Sequence, residues 1–188
     1  MLKTKTYITP EEYLEVERKA EFKSEYFNGE MFALAGTTKE HSIITINITG
    51  ALYNQLLGKP CQLFDSNMRV KVQESGLYTY PDLVVVCGEQ KFEDEEFDIL
   101  LNPTLIIEIL SPSTEDYDRG KKFVYYRQLE SLKEYVLVSQ AQVRIEKYLW
   151  QDESKWLLTE ESDTEKSMEL SSINCSLLLK DVYRNIKF

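Results

Sequence analysis

The chain has few of the residues that mark non-globular proteins. Among its 188 residues are only 7 glycines and 5 prolines, too few for a collagenous or low-complexity chain, and 43% are hydrophobic, enough for one domain with a real core. No apolar run approaches the ~20 residues of a membrane span. The opening Met1-Leu2-Lys3-Thr4-Lys5-Thr6 leads into no signal-peptide core, so a cytoplasmic location and no membrane partner are expected. Cysteine is scarce as well. Cys61, Cys87 and Cys175 are odd in number, far apart and set among apolar neighbours without Cys-x-x-Cys spacing, which favours buried reduced thiols over a disulfide or a zinc site. Repeats, linkers and low-complexity tracts are absent, and a single domain over 1–188 is the expectation.

Positive charge is also in short supply. The net charge is −10, and no basic tract or arginine cluster is long enough to serve as a docking patch for nucleic acid. The excess acid is localised, however. Glu89 to Asp98 and Asp152 to Glu165 each hold six acids against one lysine, which accounts for the whole net charge and leaves the remaining acids and bases balanced.

What is present reads as alternating helices and short strands. Thr9-Pro10-Glu11-Glu12 starts a helix running to about Lys19, with Thr9 as N-cap and Pro10 at the first helical position. Asn28-Gly29 between two apolar-aromatic runs marks a hairpin whose second arm begins at Glu30. Thr37-Thr38-Lys39-Glu40 has capping-box spacing and opens a helix from about Thr38 to Leu57, with His41, the only histidine, in its first turn. Strands follow at Cys61 to Asp65, Arg69 to Gln73 and Leu83 to Cys87, and the acidic Glu89 to Asp98 reads as a solvated connection or a ragged helix. A helix from about Glu115 to Glu130 is expected next. Strands at Glu134 to Ser139, Val143 to Trp150 and Lys155 to Thr159 precede a helical Leu177 to Ile186. This order implies a mixed sheet flanked by helices, in the α/β or α+β class.

The central anomaly is Pro103-Thr104-Leu105-Ile106-Ile107-Glu108-Ile109-Leu110-Ser111-Pro112. Prolines bracket an aliphatic strand with Glu108 in it, and an ionised carboxylate there costs several kcal/mol unless a cation, a metal or hydrogen bonds compensate it. Glu108 is therefore either half of a structural ion pair or a ligand in a site. Asp82 after Pro81 opens another apolar run, and is either a turn residue or a second carboxylate at a neighbouring strand. Two such oxygen donors suit magnesium or manganese. Asp118, Lys122 and Tyr126 recur at steps of four. Lys122 either pairs with Asp118 in solvent or reaches the sheet edge, where an ammonium can orient a water and stabilise charge on a phosphoryl group.

Pro81-Asp82, Glu108-Ile109-Leu110-Ser111-Pro112-Ser113-Thr114 and Asp118-x-x-x-Lys122-x-x-x-Tyr126, with Asn28-Gly29-Glu30 and His41 upstream, resemble the Uma2 family of the PD-(D/E)XK, restriction-endonuclease-like superfamily, abundant in cyanobacteria. The resemblance spans about Tyr7 to Tyr183. It implies a restriction-endonuclease-like core and a magnesium-dependent endonuclease acting on DNA, with manganese as a substitute and a homodimer by analogy. Asp82, Glu108 and the backbone carbonyl of Ile109 would hold the metal, and Glu30 would be a further catalytic acid. The superfamily carries lysine two residues after the second acid, where this chain has Leu110; Lys122 on the following helix is the implied replacement. His41, Asp118 and Tyr126 match further positions. Two alternatives stay open: an inert nuclease-fold module for protein binding or assembly, and a hydrolase of small phosphoesters.

Overall fold

The protein is described by a computed structural model over residues 7–152 and 155–188, so the opening hexapeptide and part of the second acidic stretch lie outside it. Helix α1 (Pro10–Glu17) starts as its sequence dictates. The Glu12 backbone N–H donates to Thr9 Oγ1 and the Thr9 N–H donates to Glu12 Oε2, a reciprocal capping box. The buried ring of Tyr13 stacks on Tyr26 at 5.0 Å and tilts against Tyr78 at 5.4 Å, fastening α1 to the sheet beneath.

Strands β1 (Ser24–Phe27) and β2 (Glu30–Ala33) form the expected hairpin. Asn28 and Gly29 take φ of 49° and 81°, the left-handed pair that a two-residue turn of this twist requires. A Cβ on Gly29 would lie 2.1 Å from Cδ1 of Tyr7. Gly29→Ala should therefore cost about 1–2 kcal/mol through backbone strain, and more if the Tyr7 ring cannot shift. An unchanged denaturation midpoint would show that the turn tolerates the methyl group.

Helix α2 (Lys39–Leu56) follows, capped by Thr38, whose hydroxyl accepts from the His41 backbone N–H. Strands β3 (Cys61–Asp65), β4 (Arg69–Val72), β5 (Leu77–Thr79), β6 (Leu83–Cys87), β7 (Ile99–Leu100) and β8 (Leu105–Leu110) come next. After β9 (Glu134–Ser139), β10 (Ile145–Trp150), β11 (Trp156–Glu161), β12 (Ser167–Leu170) and β13 (Cys175–Leu178), the short α5 (Leu179–Val182) ends the regular structure. They build a six-stranded sheet in the order β11-β10-β9-β8-β6-β3, a five-stranded sheet in the order β2-β1-β5-β4-β7, and the pair β12-β13. In the larger sheet β8 and β9 run parallel and the other neighbours antiparallel, so the expected mixed sheet with flanking helices is the fold observed.

Burial on both faces follows from the aliphatic runs. The odd-numbered residues of β6 and β8 (Leu83, Val85, Leu105, Ile107, Ile109) pack with Ile44, Ile48 and Leu52 of α2, whereas Val84, Val86, Ile106 and Leu110 pack with Phe123 and Tyr126 on the opposite side. Strand alternation thus sends Glu108 toward Phe123 and Tyr126, away from α2.

Several expectations are corrected. Cys61 and Cys87, expected as free thiols, are joined by a disulfide: the antiparallel register of β3 and β6 sets them directly opposite each other, a proximity that their separation of 26 residues conceals. Cys175 is the buried free thiol. The helix expected from Glu115 to Glu130 is split into α3 (Glu115–Tyr117), a π turn (Asp118–Lys122) and α4 (Phe123–Tyr126). Most of the apolar Leu177–Ile186 stretch is spent on β13 and on the four-residue α5. Strands β5 and β7, of three and two residues, are too short for a period of two to announce them, and the four-residue β12, which does alternate, was not expected. Among the described residues no helix is long and apolar enough to cross a membrane.

Candidate functional site

The register of β6 on β8 pairs Leu83 with Ile107, which brings Asp82, just ahead of β6, alongside Glu108. The Ile109 N–H donates to Asp82 Oδ2 at 2.7 Å, and the Asp82 N–H lies 3.4 Å from Glu108 Oε2. The two acids that are 26 residues apart in sequence therefore meet where two neighbouring strands end. His41 reaches Asp82 from α2, with Nε2 3.1 Å from Oδ2; because a carboxylate can only accept, Nε2 carries the hydrogen. Thr45, one turn on, donates to the His41 carbonyl at 2.8 Å and stands 3.4 Å from Nδ1.

Lys122 enters from the π turn and is buried, with 6% of its surface exposed. Its ammonium lies 2.9 Å from Glu108 Oε1, 3.3 Å from Glu25 Oε1 and 3.5 Å from Asp118 Oδ1. The solvent-exposed Lys122–Asp118 pair open from sequence is thereby ruled out, since both residues face the sheet. Tyr126, fully buried, donates its hydroxyl to Glu108 Oε1 at 2.8 Å, and Tyr135 donates to the Asp118 carbonyl at 3.0 Å, pinning the wide turn. Wide π turns of this kind recur where a helix must deliver side chains to a site.

Glu25 was missed. The carboxylate that reaches Lys122 from the hairpin belongs to the first arm, where Thr79 of β5 also donates to it. Glu30 opens the second arm opposite Phe27, half-buried, on the same face as Glu25 and nearer the turn. An acid in the apolar Glu25-Tyr26-Phe27 arm is the same kind of anomaly as Glu108, and that signal could have found it.

The charges in this pocket are far from their solution values. Burial pushes the Glu108 carboxyl up to about 8; the Lys122 ammonium opposes the rise while Asp118 and Asp82 add to it. Burial likewise raises Asp118. Burial works against the charge on Lys122, yet Glu108, Tyr126, Glu25 and Asp118 outweigh it and hold the ammonium protonated well above the ordinary lysine range. Three acids (Glu25, Glu108, Asp118) thus lie within 3.5 Å of one lysine, with Asp82 beside Glu108, a concentration of acid groups that an added cation would help to hold ionised.

Among the described residues no three His, Cys, Asp or Glu side chains form a ready-made metal cage. Two carboxylates are nevertheless the number that magnesium uses when waters complete its shell. Asp82 Oδ1 accepts no hydrogen bond among the described residues, and Glu108 Oε2 has only the long contact to the Asp82 N–H. Hard oxygen donors with a spare oxygen on each acid fit that ion.

Much of the first acidic stretch is folded onto basic residues. Glu93 pairs with Lys71, Asp94 with Arg18, and Asp98 with Arg18 at 2.8 Å and Arg69 at 3.6 Å. Its charge is partly spent within the five-stranded sheet and α1.

Residues 10–178, which hold every group of this site, match the model of the Uma2 family, described as "Putative restriction endonuclease". The chain belongs to the Uma2 family. The chain is also similar to two proteins from Synechocystis sp., both named as uncharacterized: one is 35% identical over 181 residues, covering 96% of this chain and 94% of its own, and the other is 36% identical over 168 residues, covering 89% and 95%. A crystal structure of "a putative nuclease belonging to DUF820" from Anabaena variabilis superposes with a TM-score of 0.76 at 21% identity, covering 94% of this chain and 97% of that one, and shows the shared nuclease-like fold. In this Uma2 chain Leu110 packs in the core, and the cation beside the second acid is Lys122 from the π turn.

Proposed function

We propose that this Uma2 protein is a magnesium-dependent endonuclease that hydrolyses DNA phosphodiester bonds, with manganese as a workable substitute. The observation that carries the reading is the meeting of Asp82 and Glu108 at adjacent strand ends with the Lys122 ammonium 2.9 Å from Glu108. Asp82, Glu108 and the backbone carbonyl of Ile109 would hold the metal. When bound, it would lower the pKa of a coordinated water and offset charge at the scissile phosphate. The remaining work falls to the chain itself. His41 orients Asp82 through Nε2–H, and the Ile109 N–H fixes the same oxygen, leaving Oδ1 without a hydrogen bond among the described residues. Tyr126 and Lys122 both engage Glu108 Oε1, which turns Oε2 toward Asp82. Lys122 supplies positive charge close to the developing phosphoryl charge. Glu25 and Asp118 hold that ammonium in place, and Glu30 lies farther along the Glu25 face of the hairpin.

The acidic net charge favours a competing substrate, a small phosphoester that needs no extended basic surface, or no substrate at all in an inert module for protein binding or assembly. Calorimetry with magnesium separates the inert module, which gives no heat traceable to Asp82 and Glu108. Asp82→Asn should abolish that heat, and His41→Ala should weaken magnesium affinity about 10–100-fold, the usual effect of losing a group that orients a ligand. Oligonucleotide competing against small phosphoesters then distinguishes the two enzymes. DNA cleavage by Asp82→Asn at the parent rate would refute the proposal.

A further inference from the structure

Glu25 has an aromatic neighbour that the core does not use. In the register of β1 on β2 it stands directly opposite Phe32, and partners across an antiparallel pair share a face with their Cβ atoms about 5 Å apart. Phe32 therefore lies on the face that Glu25 turns to Lys122. The ring is 48% exposed, and among the described residues it stacks on no other aromatic ring. Met31, one residue earlier and on the other face, packs instead with Tyr13, Tyr26 and Tyr78. Strand β2 is the edge of the five-stranded sheet, so no further strand of that sheet covers the flank beyond Phe32. The chain keeps this border open as far as the turn of α2 that meets Asp82. From Phe32 to Lys39 every residue is exposed, and from Met31 to Thr38 none is charged. Thr38 then caps α2, whose His41 contacts Asp82. One rim of the site thus runs from Glu25 to Asp82 as an uncharged, exposed segment carrying a single aromatic ring.

We infer that Phe32 is a stacking platform for an unpaired nucleobase next to the scissile phosphate, and that the substrate of this site is single-stranded DNA. The inference rests on the nuclease reading above and narrows its substrate. Position is the first ground. Lys122 lies 2.9 Å from Glu108 and 3.3 Å from Glu25, and Phe32 is the next side chain beyond Glu25, one step out from the cation that borders the phosphate. Charge is the second. A chain of −10 without a basic tract draws little affinity from phosphates, whereas stacking of bases on an aromatic ring tolerates any sequence and needs no positive charge. A paired base already offers its faces to its neighbours in the duplex, so it cannot take this place. A small phosphoester without a base gains nothing from the ring.

The test uses the full chain and the fluorescence anisotropy of a labelled oligothymidylate of about ten nucleotides, within the usual span of a single-strand site, against a blunt duplex of the same length. Calcium stands in for magnesium, since both take carboxylate and carbonyl oxygens, and only probe that a gel shows intact is scored. The parent should bind the single strand about tenfold more tightly than the duplex. Phe32→Leu, apolar but without a π face, should weaken the single strand about tenfold, leave the duplex and the thermal melt unmoved, and keep the parent's salt dependence, because the lost contact is not ionic. Phe32→Trp should bind at least as well as the parent. In magnesium the KM of Phe32→Leu for the single strand should rise about tenfold at unchanged kcat. Equal binding of the single strand by parent and Phe32→Leu overturns the inference, and so does a preference of the parent for the duplex. A parent that holds the strand through Phe32 yet hydrolyses no phosphodiester in magnesium refutes the nuclease reading and leaves the platform standing. A parent that cleaves DNA, with Phe32→Leu at the same KM, refutes the platform alone.

Discussion

Replacing Lys122 with alanine should abolish turnover and also cost about 3–5 kcal/mol of stability, the usual penalty for removing one partner from a buried ionic cluster. Glu108, Glu25 and Asp118 all lie within 3.5 Å of its ammonium, and all four side chains are buried. Without the lysine, three carboxyl groups lose their counter-charge in a dry pocket, and the cheapest relief is to take up protons. The deficit should therefore shrink as pH falls, because protonated acids no longer need the ammonium. Urea unfolding at pH 8 and pH 5 provides the check. Equal stability of variant and parent at pH 8 would mean that the ammonium is not needed to hold the acids together, and DNA cleavage by the folded variant at the parent rate would remove Lys122 from the mechanism. Lys122→Met, which keeps the stem but not the charge, should restore packing without restoring turnover.

The second large effect concerns Glu108. Its carboxyl is raised to about 8 by burial, with Asp118 and Asp82 adding to the shift, Lys122 opposing it, and Tyr126 and Glu25 beside the same ammonium. In metal-free protein the folded chain then keeps a proton on Glu108 that the unfolded chain has released above the ordinary carboxylate range. The stabilising contribution is full below about pH 4.5 and is lost as pH rises through about 8. Stability of the metal-free parent should accordingly decline across that window. Glu108→Gln, neutral at every pH, should decline less and overtake the parent near pH 8–9. Some slope will persist, because burial raises Asp118 in the same direction. Magnesium should reverse the ranking, stabilising the parent increasingly at high pH and leaving the variant unmoved, since the ion needs the ionised acid. Denaturation series in chelator and in magnesium measure both effects. Parallel pH curves for parent and variant would show that Glu108 is ionised in the folded state throughout, and a variant that still cleaves DNA would exclude the acid from the chemistry.

Local chemistry accounts for what could be read without a structure. The Thr9 capping box, the Asn28-Gly29 turn and the bounds of β3, β6 and β9 depend on neighbours within a few residues, and those interactions are written into the chain. The anomaly at Glu108 was equally legible, because the cost of a carboxylate among aliphatic residues does not depend on which fold surrounds it. The pairing of Asp82 with Glu108, the convergence of Glu25, Asp118 and Lys122, and the Cys61–Cys87 bond depend instead on strand register and on which face each strand presents. Glu25 illustrates the limit. Its burial comes from β5 laid beside β1 and from a π turn delivered across a second sheet, contacts between segments more than fifty residues apart. By itself the sequence marked Glu108 as an acid that would be costly to bury; only the tertiary structure decided that a single buried lysine would have to serve it together with Glu25 and Asp118, because charge compensation acts through space and not along the chain.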